Sequence, residues 1–316
     1  MIDPLKKWHL RILQANVFAQ SAIVVTGAIV RVTSSGLGCP TWPECVAGSI
    51  APTSEQTQAW HKWVEFGNRM LTTVLVLVAI GAILAIRAHN KNLRQKTGNA
   101  PKDLLRLAIG CFVGIFVQAI LGGITVLTGL NPLTVGAHFL VSIALISLAV
   151  VLLWRARESG ATQVKAKQPI SPIVSRGLQL QLGLALTVIT LGTLVTGTGP
   201  HAGDSAKITR LPFDPRVISW IHADAVLLFM GLVAGLLIAL LATRAESSVT
   251  RNCVIVLCVG LAQGLIGYVQ YFTGLPWVLV AFHVAGACML WIASLRLVLS
   301  AETDRFQLPE KVATST

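Results

Sequence analysis

The sequence predicts an all-α membrane protein: eight transmembrane helices in two tandem four-helix bundles, related by a pseudo-two-fold axis along the membrane normal. Three observations predict it. The 316 residues are 54% hydrophobic and 12% charged, about half the charged share of a soluble domain. Continuously apolar runs of membrane-crossing length recur along the whole chain. Two stretches match without a gap at a constant offset: residues 118–145 read QAILGGITVLTGLNPLTVGAHFLVSIAL, and residues 263–290 read QGLIGYVQYFTGLPWVLVAFHVAGACML.

The expected spans are 10–31, 63–87, 104–127, 134–154, 176–197, 217–242, 252–272 and 278–299. A barrel would show short alternating segments, and these are long and uniformly apolar. The first run follows Lys6, Lys7 and Arg11 but is too long for a signal segment and lacks a small-residue cleavage site, so it reads as a retained helix. No Arg/Ser-rich transit segment precedes it, so a bacterial plasma membrane is expected.

An even number of spans puts both termini on one side. Arg31, Lys62, Arg69, Lys207, Arg210 and Arg216 fall on the other side, and the remaining lysines and arginines fall with the termini. Cytoplasmic loops collect positive charge, so both termini are expected inside. The net charge of +12 then calls for no nucleic-acid partner; it is mostly this positive-inside bias, and attraction to anionic membrane lipid is expected with it.

The duplication reaches beyond the first match. Arg11-Ile-Leu-Gln14 aligns with Arg176-Gly-Leu-Gln179, after which Gly27, Val30, Thr33 and Gly38 meet Gly192, Val195, Thr198 and Gly203. Helix two aligns with helix six, placing Asn68 opposite His222. Two parallel four-helix units follow, 1–160 and 161–316, and an even helix count keeps both in one orientation. Bundle cores are where cofactors are ligated from facing helices.

Of the seven histidines, His9 and His89 lie among cytoplasmic charges and read as solvated side chains, and His201 reads as an outer-loop residue. His138, His222 and His283 each stand a few residues into a span that enters from the outer side, about 5–10 Å below that interface. Ionisable residues in spans are costly and mark function, and imidazole is an axial ligand of heme iron. His222 and His283 form a bis-histidine pair. The matching first-half positions are Asn68 and His138, a weaker or open site. Glu65 shares a helix face with Asn68 at i,i+3, and is a candidate for proton exchange or charge stabilisation or an interfacial carboxylate paired with Lys62 or Arg69. His61 is a fallback ligand, and Arg31 and Arg69 are candidate contacts for heme propionates.

Cys39 and Cys45 flank Pro40-Thr41-Trp42-Pro43-Glu44 in the first outer loop. That side is oxidising, so a disulfide is expected. The spacing is unlike that of a thioredoxin-type pair. Cys111, Cys253, Cys258 and Cys288 read as small core hydrophobes.

Taken together, Gly36-Leu37-Gly38-Cys39-Pro40-x-Trp42-Pro43-x-Cys45, Glu65-x-x-Asn68-Arg69, the two Thr-Gly-Leu…His blocks and the His222/His283 pair resemble the heme A synthase family over nearly the whole chain. The resemblance implies a second-half heme b held by His222 and His283. It also implies a first-half substrate site with His138 as iron ligand and Glu65 as key carboxylate, where a methyl group of heme O is oxidised to a formyl group by successive hydroxylations, giving heme A. The Cys39/Cys45 pair is a family feature with a proposed disulfide. Implied partners are the heme O synthase that supplies the substrate and a terminal oxidase or its assembly factors as acceptor; a homo-oligomer is left open. The chain departs from the family pattern at Asn68, where many members carry a second histidine. The first-half sixth ligand is therefore open between Asn68, His61, water and none.

Other classes explain less. A di-heme electron-transfer cytochrome b accounts for the histidines but predicts two equal sites, and leaves Glu65 and the cysteine loop without a role. A transporter accounts for the repeat but would place broken helices and charges near mid-membrane. A thiol oxidoreductase accounts for the cysteines alone.

Overall fold

The structure, a computed structural model, describes residues 7–159, 170–204 and 209–302. Lys6, Lys165, Lys167, Lys207, Arg305 and Lys311, which entered the charge count, lie outside the described residues, as does the expected boundary at 160/161. Among the described residues there are eight long helices: α1 (Lys7–Val32), α2 (His61–Thr97), α3 (Lys102–Leu127), α4 (Pro132–Ser159), α5 (Pro172–Thr198), α6 (Pro215–Ala242), α7 (Ser247–Phe272) and α8 (Trp277–Ala301). All eight are long and apolar enough to cross a membrane, and the protein is a multi-pass membrane protein.

Local chemistry sets the helix ends. Ser171 caps α5 through the Val174 N–H, with Pro172 at the first helical position. Asp214 caps α6 by accepting from Arg216 and Val217, ahead of Pro215. Such residues satisfy orphan N–H groups, and proline has none to satisfy. The main departure from expectation is α2, which continues past residue 87 to Thr97. The charged stretch Lys91-Asn92-Leu93-Arg94-Gln95-Lys96 is rich in strong helix formers. The helix stops at Gly98, whose positive φ of 76° lets its N–H reach the Arg94 carbonyl.

Each half closes on itself. Contacts run α1 to α2 to α3 to α4 and back to α1, and likewise α5 to α6 to α7 to α8 and back to α5. The halves meet through α1 with α8, α4 with α5, and α4 with α8. Those three contacts interchange under a two-fold exchange of halves, as the duplication requires.

The apolar core is shared. One cluster runs from Val24 on α1 through Ile143 and Ile146 on α4, Val188 and Ile189 on α5 and Phe229 on α6 to Leu290 and Leu297 on α8. A smaller cluster of Leu13, Ala82, Ile86, Leu104 and Leu152 fills the first half. Phe18, Leu265 and Phe272 face outward at 73%, 67% and 78% exposure. Helices satisfy their own backbone, so these faces fit lipid.

Polar bonds pin the seam. Trp291 on α8 donates its indole N–H to Ser147 Oγ on α4 at 2.7 Å, and within the second half Gln181 donates to Ser294 Oγ at 2.7 Å. Trp291→Phe is expected to cost about 1 kcal/mol of stability, read as a drop of about 2–4 °C in apparent Tm of the detergent-solubilised protein. An unchanged melting curve would show that this bond does not hold the halves.

Candidate functional site

The polar residues singled out in the spans share one construction. His138 on α4 lies over Gly122 on α3, its Cε1 3.4 Å from where a Cβ on that glycine would stand. His283 on α8 lies over Gly267 on α7 at 3.5 Å, and His222 on α6 over Gly192 on α5 at 3.4 Å. Asn68 on α2 repeats the arrangement over Gly27 on α1, with Nδ2 at 3.9 Å. Each glycine is the seat of one inward side chain. All four glycines stand at matched positions in the repeat, so the signal was in the sequence, although their role as seats was not read from it.

Closed rings of helix contacts leave α2 and α4, and α6 and α8, on the diagonals of their bundles. His222 on α6 and His283 on α8 therefore stand on the diagonal of the second bundle. In the first half the diagonal partner of His138 is Asn68, whose Oδ1 accepts from Thr26 Oγ1 at 2.7 Å.

The donor set fits a heme. The Nδ1 atoms of His138, His222 and His283 are all buried without a hydrogen-bond partner. Among the described residues no three His, Cys, Asp or Glu side chains group to hold a bare metal ion. Paired imidazoles would suit an iron whose other four positions are filled by a macrocycle.

Gln118, the first residue of the repeat block, steadies the His138 helix. Its Nε2 donates to the His138 carbonyl at 3.0 Å and lies against Ser142 Oγ. Its counterpart Gln263 occupies the space that a Cβ on Gly286 would need.

Glu65 is a buried clamp. Its Oε1 pairs with Arg69 Nη2 at 2.6 Å, one helical turn away, and its Oε2 accepts from the Cys39 N–H at 2.7 Å. Arg69 also donates to the carbonyls of Cys39, Thr41 and Glu44 at 2.8, 3.0 and 3.2 Å. A disulfide joins Cys39 to Cys45, with Cα atoms 4.3 Å apart and both residues buried. Inside this loop the Trp42 ring lies directly on Gly123 of α3, where any Cβ would collide with it. The loop is thus fastened to α2 by charge-assisted hydrogen bonds and to α3 by an indole.

The remaining candidates are engaged elsewhere. Arg31 donates to the carbonyls of His201 and Thr196 at 2.8 and 3.0 Å, tying α1 to the second half. The His201 ring bonds the Leu275 carbonyl at 2.8 Å. His61 Nδ1 bonds Ser35 Oγ at 2.9 Å, with Trp60 stacked on the ring.

Two expectations are corrected. His9 and His89 are not solvated: they are 1% and 4% exposed, their rings 6.4 Å apart. The extended C-terminal end of α2 packs on α1 and turns them inward, and His89 bonds Ser159 on α4 at 3.0 Å. Cys111, Cys253 and Cys288 are buried as expected, whereas Cys258 faces outward.

Fold and site define a class: a polytopic membrane protein of two related four-helix halves with imidazoles seated inside. Residues 11–203 match the COX15-CtaA family model, described as cytochrome oxidase assembly protein. The chain belongs to that family. His222 and His283 lie beyond the matched segment, and their pairing rests on the internal repeat. The chain is similar to the heme A synthase of Geobacillus thermodenitrificans, 31% identical over 144 residues covering 44% of this chain and 41% of the relative. It is similar to that of Bacillus pumilus, 29% identical over 213 residues covering 66% and 64%. It is similar also to that of Shewanella oneidensis, 28% identical over 170 residues covering 48% and 45%. The chain thus spans less than two thirds of the length of these curated relatives.

Arg69→Gln removes the cation from the buried pair and frees three loop carbonyls. The loop should open more often, and reduction of the Cys39–Cys45 bond by dithiothreitol, followed by maleimide labelling, is expected to speed up about tenfold or more. A rate equal to the parent's would show that Arg69 does not fasten the loop.

Proposed function

We propose that the protein is a heme A synthase, an oxidoreductase that converts a methyl group of heme O to a formyl group. The observation that carries this reading is the inequality of the two duplicated sites. One diagonal carries two imidazoles, His222 and His283. The other holds His138 and Asn68, next to the Glu65 carboxylate under a disulfide loop. A closed site suits a resident cofactor and an open one suits turnover. The family description and the relatives named heme A synthase support the same reading.

In this proposal residues 161–316 hold heme b through His222 and His283, and residues 1–160 hold heme O through His138. When bound, heme b supplies an iron that exchanges single electrons. His138 orients the substrate, and Gln118 fixes the backbone that carries His138. Glu65 is held by Arg69 and the Cys39 N–H, and offers a fixed negative charge to positive charge developing at the methyl carbon, or takes its proton. The Cys39–Cys45 loop covers the site from the outer side. Arg31 and Arg69 already hold protein carbonyls, so a propionate would share them. We further propose a bacterial plasma membrane location with both termini cytoplasmic and both sites near the outer side, heme O delivered by its synthase, and heme A passed to a terminal oxidase or its assembly factors.

Glu65→Gln keeps an acceptor for the Cys39 N–H but loses the charge. Heme A in pigment extracts of cells expressing this variant is expected to fall about 100-fold; parental heme A would remove Glu65 from the chemistry. His222→Ala is expected to abolish the low-spin heme b spectrum of the purified protein, and a full low-spin spectrum would sink the ligand assignment.

A further inference from the structure

At the outer end of the seam between the halves lies an open pocket of about 400 Å³ lined by Val32, Thr33, Ser34, Trp60, His61 and Trp277. That volume falls within the range of small-molecule sites. Its walls come from the end of α1, the start of α2 and the start of α8, so both halves contribute. Trp60 and Trp277 are 55% and 49% exposed, leaving aromatic surface at the pocket for a flat ligand.

His61 supplies the directional contact. Ser35 is fully buried, and its hydroxyl bonds His61 Nδ1 at 2.9 Å. Trp60 stacks on the imidazole with ring centroids 4.0 Å apart. With Nδ1 taken and the ring braced, Nε2 is the nitrogen left for a ligand. When Ser35 donates to Nδ1, the neutral ring carries its proton on Nε2 and becomes a donor to a carbonyl oxygen.

Interfacial tryptophans also occur as lipid anchors, but the duplication argues for more here. At the two-fold-related positions Ser35, Trp60, His61 and Trp277 are replaced by Pro200, Asp214, Pro215 and Pro132. The pocket's aromatic walls, its imidazole and the hydroxyl that orients it therefore belong to one side of the molecule only. Its level is informative as well. His61 lies seven residues before Asn68 on α2, and Trp277 six before His283 on α8, about 10 Å outward of each site.

We propose that this pocket binds the ring of a membrane quinone, which accepts the electrons of the methyl oxidation. The acceptor role rests on the synthase reading above. With water as the oxygen source, each hydroxylation breaks one C–H bond, forms one C–O bond and releases two electrons and two protons. One quinone takes up both pairs and leaves as quinol. After the second hydroxylation the gem-diol loses water to give the formyl group. The sum is methyl plus water plus two quinones to formyl plus two quinols. His61 holds a quinone carbonyl, and the indoles of Trp60 and Trp277 flank the ring.

The test is photolabelling of the purified full-length protein with an azido-quinone, followed by peptide mass spectrometry. Saturable label is expected on the peptides containing Trp60-His61 and Trp277, displaced by excess decylubiquinone. His61→Leu should weaken that displacement about tenfold, the loss of one hydrogen bond to a ligand. Trp277→Phe keeps an aromatic wall and should still label, which guards against a folding defect. Label spread over the lipid-facing helices and indifferent to competitor overturns the site. Labelling needs no turnover, so the two readings fail separately. A competed pocket in a protein that makes no heme A keeps the site and overturns the synthase reading. Parental heme A formation by a His61→Leu protein that no longer labels overturns the acceptor role.

Discussion

Lipid offers no hydrogen bonds, so a polar side chain in this protein must be sealed between helices that pack only about 8–10 Å apart. An imidazole fits there only where the facing helix gives up its side chain. The chain meets that constraint with a glycine under each of His138, His222, His283 and Asn68. The helix ends, the shared core and the pinned seam serve to keep these seats in place. Gln118 and Gln263 reinforce them from one turn deeper, one by bonding the His138 carbonyl and the other by filling the space beside Gly286.

On that common frame the two halves diverged in what covers the site. The second half has no counterpart of Glu65 or of the disulfide loop. In the first half the Glu65–Arg69 pair joins a transmembrane helix to an irregular loop through a carboxylate, a guanidinium and four backbone groups of the loop. Breaking such a buried pair by removing one partner costs about 3–5 kcal/mol, so the loop and the start of α2 act as one body. Both oxygens of the Glu65 carboxylate are held by these bonds, so it does not swing.

Continuous apolarity made the eight spans legible in the sequence, and the fixed offset made the equivalence of His138 and His283 legible. Arg69, one turn after Glu65, was visible as a partner. The Cys39 N–H was not, because it reaches Glu65 only after the loop has folded back over α2. His9 and His89 were misread for a related reason: their neighbours in sequence are charged, while their neighbours in space are other helices. The extension of α2 to Thr97 was hidden because a hydropathy reading ends where charge begins, although helix propensity does not.

The merged core fixes how the two halves sit against one another. Two bundles with separate cores would be free to shift against one another, and an electron moving between their sites would meet a variable gap. Here Val24, Ile143, Val188 and Leu290 belong to one cluster spanning both halves, and α4 and α8, which carry His138 and His283, touch directly and share the Trp291–Ser147 bond. The helices that present the two histidines are therefore also the ones that join the halves. A fixed distance between the two histidines follows from that placement, and on the synthase reading proposed above, chemistry in one half would draw on a carrier held in the other without any motion between them.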